Sequence, residues 1–171
     1  MKQLTLFRIL TYTLLPIALI FGFFDFLVIL SAISNPAILI VAFVLAAFVI
    51  YTFKSLIFLT KSIDTGRPYK SNLRDWIRVN AYVSMFMGIL MLMNGLSVLF
   101  SSDIALRQYL NQFLETQPNI PPQLTIELFL KLLKGMVYFM LFVSILLLAH
   151  IFLNFRIMKQ YSYLFEMHSK N

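Results

Sequence analysis

Two ionisable side chains, Asp25 and His150, stand inside long apolar runs. Charge in hydrocarbon is costly, so each is a functional candidate by default. Asp25 is placed near the outer end of the first run, about 9 Å deep at 1.5 Å per residue. A carboxyl group at that depth requires a proton or a partner. Asn94 on the third run has a similar depth, and Lys134 and Tyr138 stand at the outer start of the fourth. These four residues are expected to form a polar cluster in the outer leaflet. It serves either a reaction path or an interhelical hydrogen bond worth about 0.6–2 kcal/mol. His150 is placed near the inner end of the fourth run, where Asn154, Asn80, Ser84 and Tyr51 share its depth. A proton path from Asp25 to His150 would have to bridge about 12 Å of depth through waters or hydroxyl groups.

Other chemistries find little support. Cysteine is absent, which excludes disulfides, thiolate metal sites and dithiol–quinone exchange. With two histidines and no cysteine, zinc hydrolysis lacks ligands. Haem would need a second axial ligand, and His168 lies in the tail while no single methionine stands out. Neither a G-x-x-x-x-G-K-[ST] nor a G-x-G-x-x-G motif occurs, so no nucleotide loop is implied. No spacing supports a serine nucleophile with a histidine base. The sequence thus names no catalytic residue, no metal and no cofactor.

The elements that must position these residues follow from composition. Of 171 residues, 60% are apolar and 12% charged, and mean hydropathy is +0.84. A soluble domain carries about 25% charged residues. The expected fold is all-α, a single four-span membrane domain over 1–171, with spans at about 9–31, 37–60, 78–100 and 134–156. The first run is too long for a signal-peptide core of about 7–15 residues and reads as a retained helix. Pro16 should bend it near Tyr12, with Thr13 re-satisfying the freed carbonyl groups. Ser34-Asn35-Pro36 breaks the chain between spans 1 and 2. Asn72 and Asp75 fit a helix start before span 3. In the outer loop, 101–133, Asp103 to Thr116 reads as a short amphipathic surface helix, with Ile104, Leu106, Leu110, Phe113 and Leu114 opposite Arg107 and Glu115. Pro118, Pro121 and Pro122 end it, and a new helix starts near Pro122 with Glu127 and Lys131 at i,i+4 spacing.

Net charge is +7, and its distribution predicts orientation. Lys2, Arg8, Lys54, Lys61, Arg67, Lys70, Arg74, Arg78, Arg156, Lys159 and Lys170 fall on one side, against Arg107, Lys131 and Lys134 on the other. Eleven against three places both termini and the loop 61–77 in the cytoplasm. Within that loop and its flank, Arg67, Lys70, Arg74, Trp76 and Arg78 suit lipid headgroups, at about 1 kcal/mol per basic residue. One loop of this size offers too few cations for nucleic acid. Ser84, Gly88, Met91 and Gly95 share one face of span 3, where small residues let helices approach. That face packs within the protein or meets a second copy or partner subunit.

The segment Gly66-Arg67-Pro68-Tyr69-Lys70-Ser71-Asn72-Leu73-Arg74 resembles a loop pattern in a family of bacterial four-span membrane proteins of unknown function. The pattern is a glycine, a proline–aromatic pair, an asparagine and basic residues leading into the third helix. Tyr69 stands where phenylalanine is usual. The resemblance covers about a tenth of the chain. It implies the four-span architecture and a multi-pass inner-membrane location, and brings no activity. The expectation is therefore a non-enzymatic accessory or interaction subunit, in contact with lipid and with a membrane-protein partner or another copy. A small transporter or channel using the intramembrane polar residues is the second reading, and an enzyme acting on lipid or quinone the third.

Overall fold

The computed structural model describes residues 2–70, 72–116 and 125–166. All regular structure among them is helical: α1 (Lys2–Ala32), α2 (Leu39–Ile57), α3 (Leu73–Phe100), α4 (Asp103–Glu115), α5 (Ile126–Gln160) and the short α6 (Tyr163–Glu166). Four helical segments are long and apolar enough to cross a membrane: Lys2–Ala32, Pro36–Ile63, Leu73–Phe100 and Ile126–Gln160. Without water, a spanning backbone must satisfy its polar groups within itself, and a helix does so.

The side-chain distribution supports the membrane reading independently of hydropathy. Phe23, Phe43, Phe86 and Phe152 face outward, whereas Thr11, Tyr51, Ser55, Ser84, Ser144, His150 and Asn154 are wholly buried. Many large aromatic side chains exposed around an interior that also holds polar groups suit a lipid surround.

α1 runs unbroken through Pro16. Thr13 does not turn to the carbonyl group that Pro16 leaves free, on Tyr12. Its hydroxyl donates instead to the Ile9 carbonyl at 2.9 Å, the usual bond of a helical threonine to the residue four before it. Asn35 stops the helix as expected. It is extended (φ −141°, ψ 92°), its side chain accepts from the Ala37 amide, and Pro36 opens a 3-10 turn. α2 leaves through a π-helical turn, Phe58–Ile63, closed by the Asp64 amide on the Leu59 carbonyl at 2.9 Å. Gly66 then takes φ +63°, a left-handed conformation that glycine adopts without strain.

Packing divides the chain into two compact units, Met1–Gly88 with Leu146–Asn171, and Ile89–Ile145. In the first, Phe7, Leu14, Phe48, Phe58, Ile77, Leu147 and Ile151 form the interior. Several charged ends meet there. Arg8 pairs with Asp64 at 2.5 Å, Phe58 stacks on Phe165, and Lys54 lies over the Trp76 ring. In the second unit, α4 is the expected amphipathic helix, with Ser102 capping it by accepting from the Ala105 amide. Leu106 and Leu110 pack on Leu130, Val98, Phe129 and Leu133. Ile104 and Phe113, placed on the apolar face by sequence, are exposed. Glu127 does not pair with Lys131; both its oxygens accept from the Arg107 guanidinium. A planar two-pronged donor outcompetes an i,i+4 ammonium for a carboxylate. Pro118, Pro121, Pro122, His168 and Lys170 lie outside the described residues.

Candidate functional site

Three helices of the first unit each contribute a pair at i,i+4 spacing: Phe7 and Thr11 from α1, Tyr51 and Ser55 from α2, His150 and Asn154 from α5. That spacing puts each pair on one helix face, and the three faces meet. The Thr11 hydroxyl lies 2.9 Å from His150 Nε2. The Tyr51 hydroxyl lies 2.7 Å from His150 Nδ1. Asn154 Nδ2 donates to Tyr51 at 3.2 Å and to Ser55 at 2.7 Å. The imidazole stacks on Phe7, centroids 5.0 Å apart, and meets the edge of Tyr51.

One proton assignment satisfies these contacts together. The single Thr11 proton goes to the Phe7 carbonyl at 2.7 Å. Thr11 therefore accepts from His150, whose Nε2 carries the hydrogen. His150 Nδ1 is then the acceptor, and Tyr51 donates to it. Tyr51 in turn accepts from Asn154, whose second amide hydrogen goes to Ser55. The result is a one-way chain, Asn154 to Tyr51 to His150 to Thr11 to a backbone carbonyl, around a neutral imidazole. One acceptor in it is unused: Asn154 Oδ1 is buried with no partner.

The depth match around His150 thus brings in Tyr51 and Asn154. Asn80 and Ser84 instead bond back to their own helix, to the Trp76 and Asn80 carbonyls. Thr11 and Ser55 are the residues that sequence reasoning missed. Hydroxyl residues in apolar helices usually serve their own backbone, so neither residue type marks a contact between helices.

The other polar candidates are placed differently. Asp25 is buried in α1, and its Oδ1 has no hydrogen-bond partner among the described residues. Thr11 leads away from Asp25, which lies about 21 Å further along α1. In the second unit, Lys134 donates to Asp103 at 2.7 Å, Tyr138 is exposed, and Asn94 is exposed on α3. Of the α3 small-residue face, Ser84 and Gly88 are buried in the first unit, Met91 and Gly95 in the second. A Cβ on Gly88 would lie 3.2 Å from Leu148, and one on Gly95 would lie 2.8 Å from Leu141. Of the headgroup candidates, Arg67, Arg78 and Trp76 are exposed, Lys70 lies over Tyr69, and Arg74 is half-buried over Phe165.

Asp103 is outside the spanning segments. The Lys134 ammonium, by hydrogen bond and then by charge, holds its carboxyl below the ordinary 3.8. No group of three or more metal-binding side chains occurs among the described residues. No family model, curated protein or solved structure matches the chain.

Proposed function

We propose that this is a non-enzymatic, multi-pass protein of a bacterial inner membrane, with both termini cytoplasmic, that works by associating with another membrane protein or a second copy of itself. The observation that carries the reading is Asn94. It sits in the uncharged stretch of α3 and is exposed. An amide facing hydrocarbon lacks partners, and an interhelical bond to it is worth about 0.6–2 kcal/mol. The polar groups around His150, by contrast, are wholly buried and bonded to one another, which suits a lock between helices. Extraction in a mild detergent followed by the mass of the intact complex tests the reading. A complex heavier than one chain, reduced to one chain by Asn94→Leu, is expected. A lone wild-type chain sinks it.

A small transporter or channel is the second reading, favoured by the unpartnered Asp25 oxygen and the directional chain at His150. The chain is short for that task. Its bonds, each near 3 Å, reach at most about half of a 30 Å hydrocarbon core. Proton flux in proteoliposomes that falls with Asp25→Asn or Tyr51→Phe would move the assignment to this class.

A further inference from the structure

We infer that the cleft between the start of α3 and the end of α5 is a binding site for a phosphate ester, the headgroup of an anionic phospholipid. Arg74, Arg78 and Lys159 line it with Tyr82, Phe155 and Met158, around about 520 Å³. That volume lies in the range of built ligand sites. Arg74, Arg78 and Tyr82 follow at i,i+4 steps on α3, so their side chains form one column. Phe155 and Lys159 repeat the spacing on α5.

The charge is unbalanced. None of the three cations forms an ion pair among the described residues. Arg74 Nε is a buried donor with no acceptor, and its guanidinium is held over the Phe165 ring at 5.9 Å. The opening turns of α3 hold two arginines against one acid, Asp75, at the positive end of the helix dipole, which favours a further anion. A phosphate group supplies the missing acceptors, and arginine matches it two bonds at a time. The walls favour a lipid over free phosphate. The Tyr82 and Phe155 rings, 5.6 Å apart, continue from the cations along the apolar helices, where an acyl chain would lie.

Native mass spectrometry of the full chain in detergent, offered equal phosphatidylglycerol and phosphatidylcholine, tests the site. Wild type is expected to retain one phosphatidylglycerol with about tenfold preference. Arg74→Gln/Arg78→Gln/Lys159→Gln should abolish the preference, while Lys61→Gln/Lys131→Gln, exposed and outside the cleft lining, should keep it. Equal retention by wild type, or equal loss in both variants, overturns the site. Should the triple variant not fold, Lys159→Gln alone must lower the preference at least about twofold; no change overturns it. In a parallel arm with inorganic phosphate alone, binding without any lipid preference assigns a soluble ligand and overturns the lipid assignment.

Discussion

At the scale of single residues, the distinction is between polar groups that are satisfied and those that are not. His150 is buried, stacked on Phe7 and bonded through both ring nitrogens. Tyr51→Phe removes the donor to Nδ1 and leaves a buried acceptor. It should destabilise the protein by about 1–2 kcal/mol, read by thermal unfolding in detergent. Asn154→Leu should show a similar loss, and the double variant should lose less than the two combined, with a coupling of about 0.5–1.5 kcal/mol. Additive losses would mean that the two side chains do not share a network. His150 was legible from sequence as a rare ionisable group in an apolar run, and depth alone suggested Tyr51 and Asn154. Thr11 and Ser55 were not, because a hydroxyl group among leucines and phenylalanines carries no sign of which way it turns. Sequence depth grouped Asp25 with Lys134, yet Lys134 has a closer claim in Asp103. A flexible ammonium takes the nearest carboxylate at the surface, which depth matching does not weigh.

At the scale of elements, helix limits followed from a few residues. Asn35 and Pro36 stop and restart the chain, and Ser102 caps α4. The π-helical exit of α2 had no sequence signal, since it depends on which carbonyl the Asp64 amide reaches. Close approach of α3 to α5 depends on glycine. A Cβ at Gly95 meets Leu141 at 2.8 Å, whereas one at Gly22 meets nothing nearer than 3.6 Å. Gly95→Val should therefore cost about 1–3 kcal/mol while Gly22→Ala stays close to neutral in the same unfolding assay. Gly95→Ala should fall between them, because the Leu141 side chain can turn aside. Equal effects at the two positions would refute the close approach.

α4 is fastened by Leu106 and Leu110 and by two surface ion pairs. The Asp103 carboxyl titrates below its ordinary 3.8, so the paired form binds fewer protons than the released one. Its contribution to docking is complete above about pH 4–5 and fades as pH falls through the lowered value. Amide hydrogen exchange in α4, corrected for intrinsic pH dependence, should show constant opening from pH 7 to about 5 and rising opening below about 4. Loosening that begins near pH 6 would require a different group.

At the scale of the whole molecule, Asn94 is an exposed amide within the uncharged stretch of α3, beside exposed apolar residues such as Leu90 and Met93. Four long apolar stretches made the membrane reading plain from composition. The exposure of Asn94 was not plain, because it depends on the rotation of α3 about its axis, which neighbouring side chains determine. The chain has no cysteine, so one introduced thiol is unique. The most direct measurement uses Ser97→Cys, one turn from Asn94 and exposed, bearing a thiol-anchored photo-crosslinker in native membranes. Phe152→Cys on the exposed face of α5 is the comparison. Association through the Asn94 face predicts a discrete adduct of the mass of one partner or one further copy from position 97, weak or absent from position 152, and lost with Asn94→Leu. Equal labelling from both positions, or no protein adduct from position 97, would contradict it.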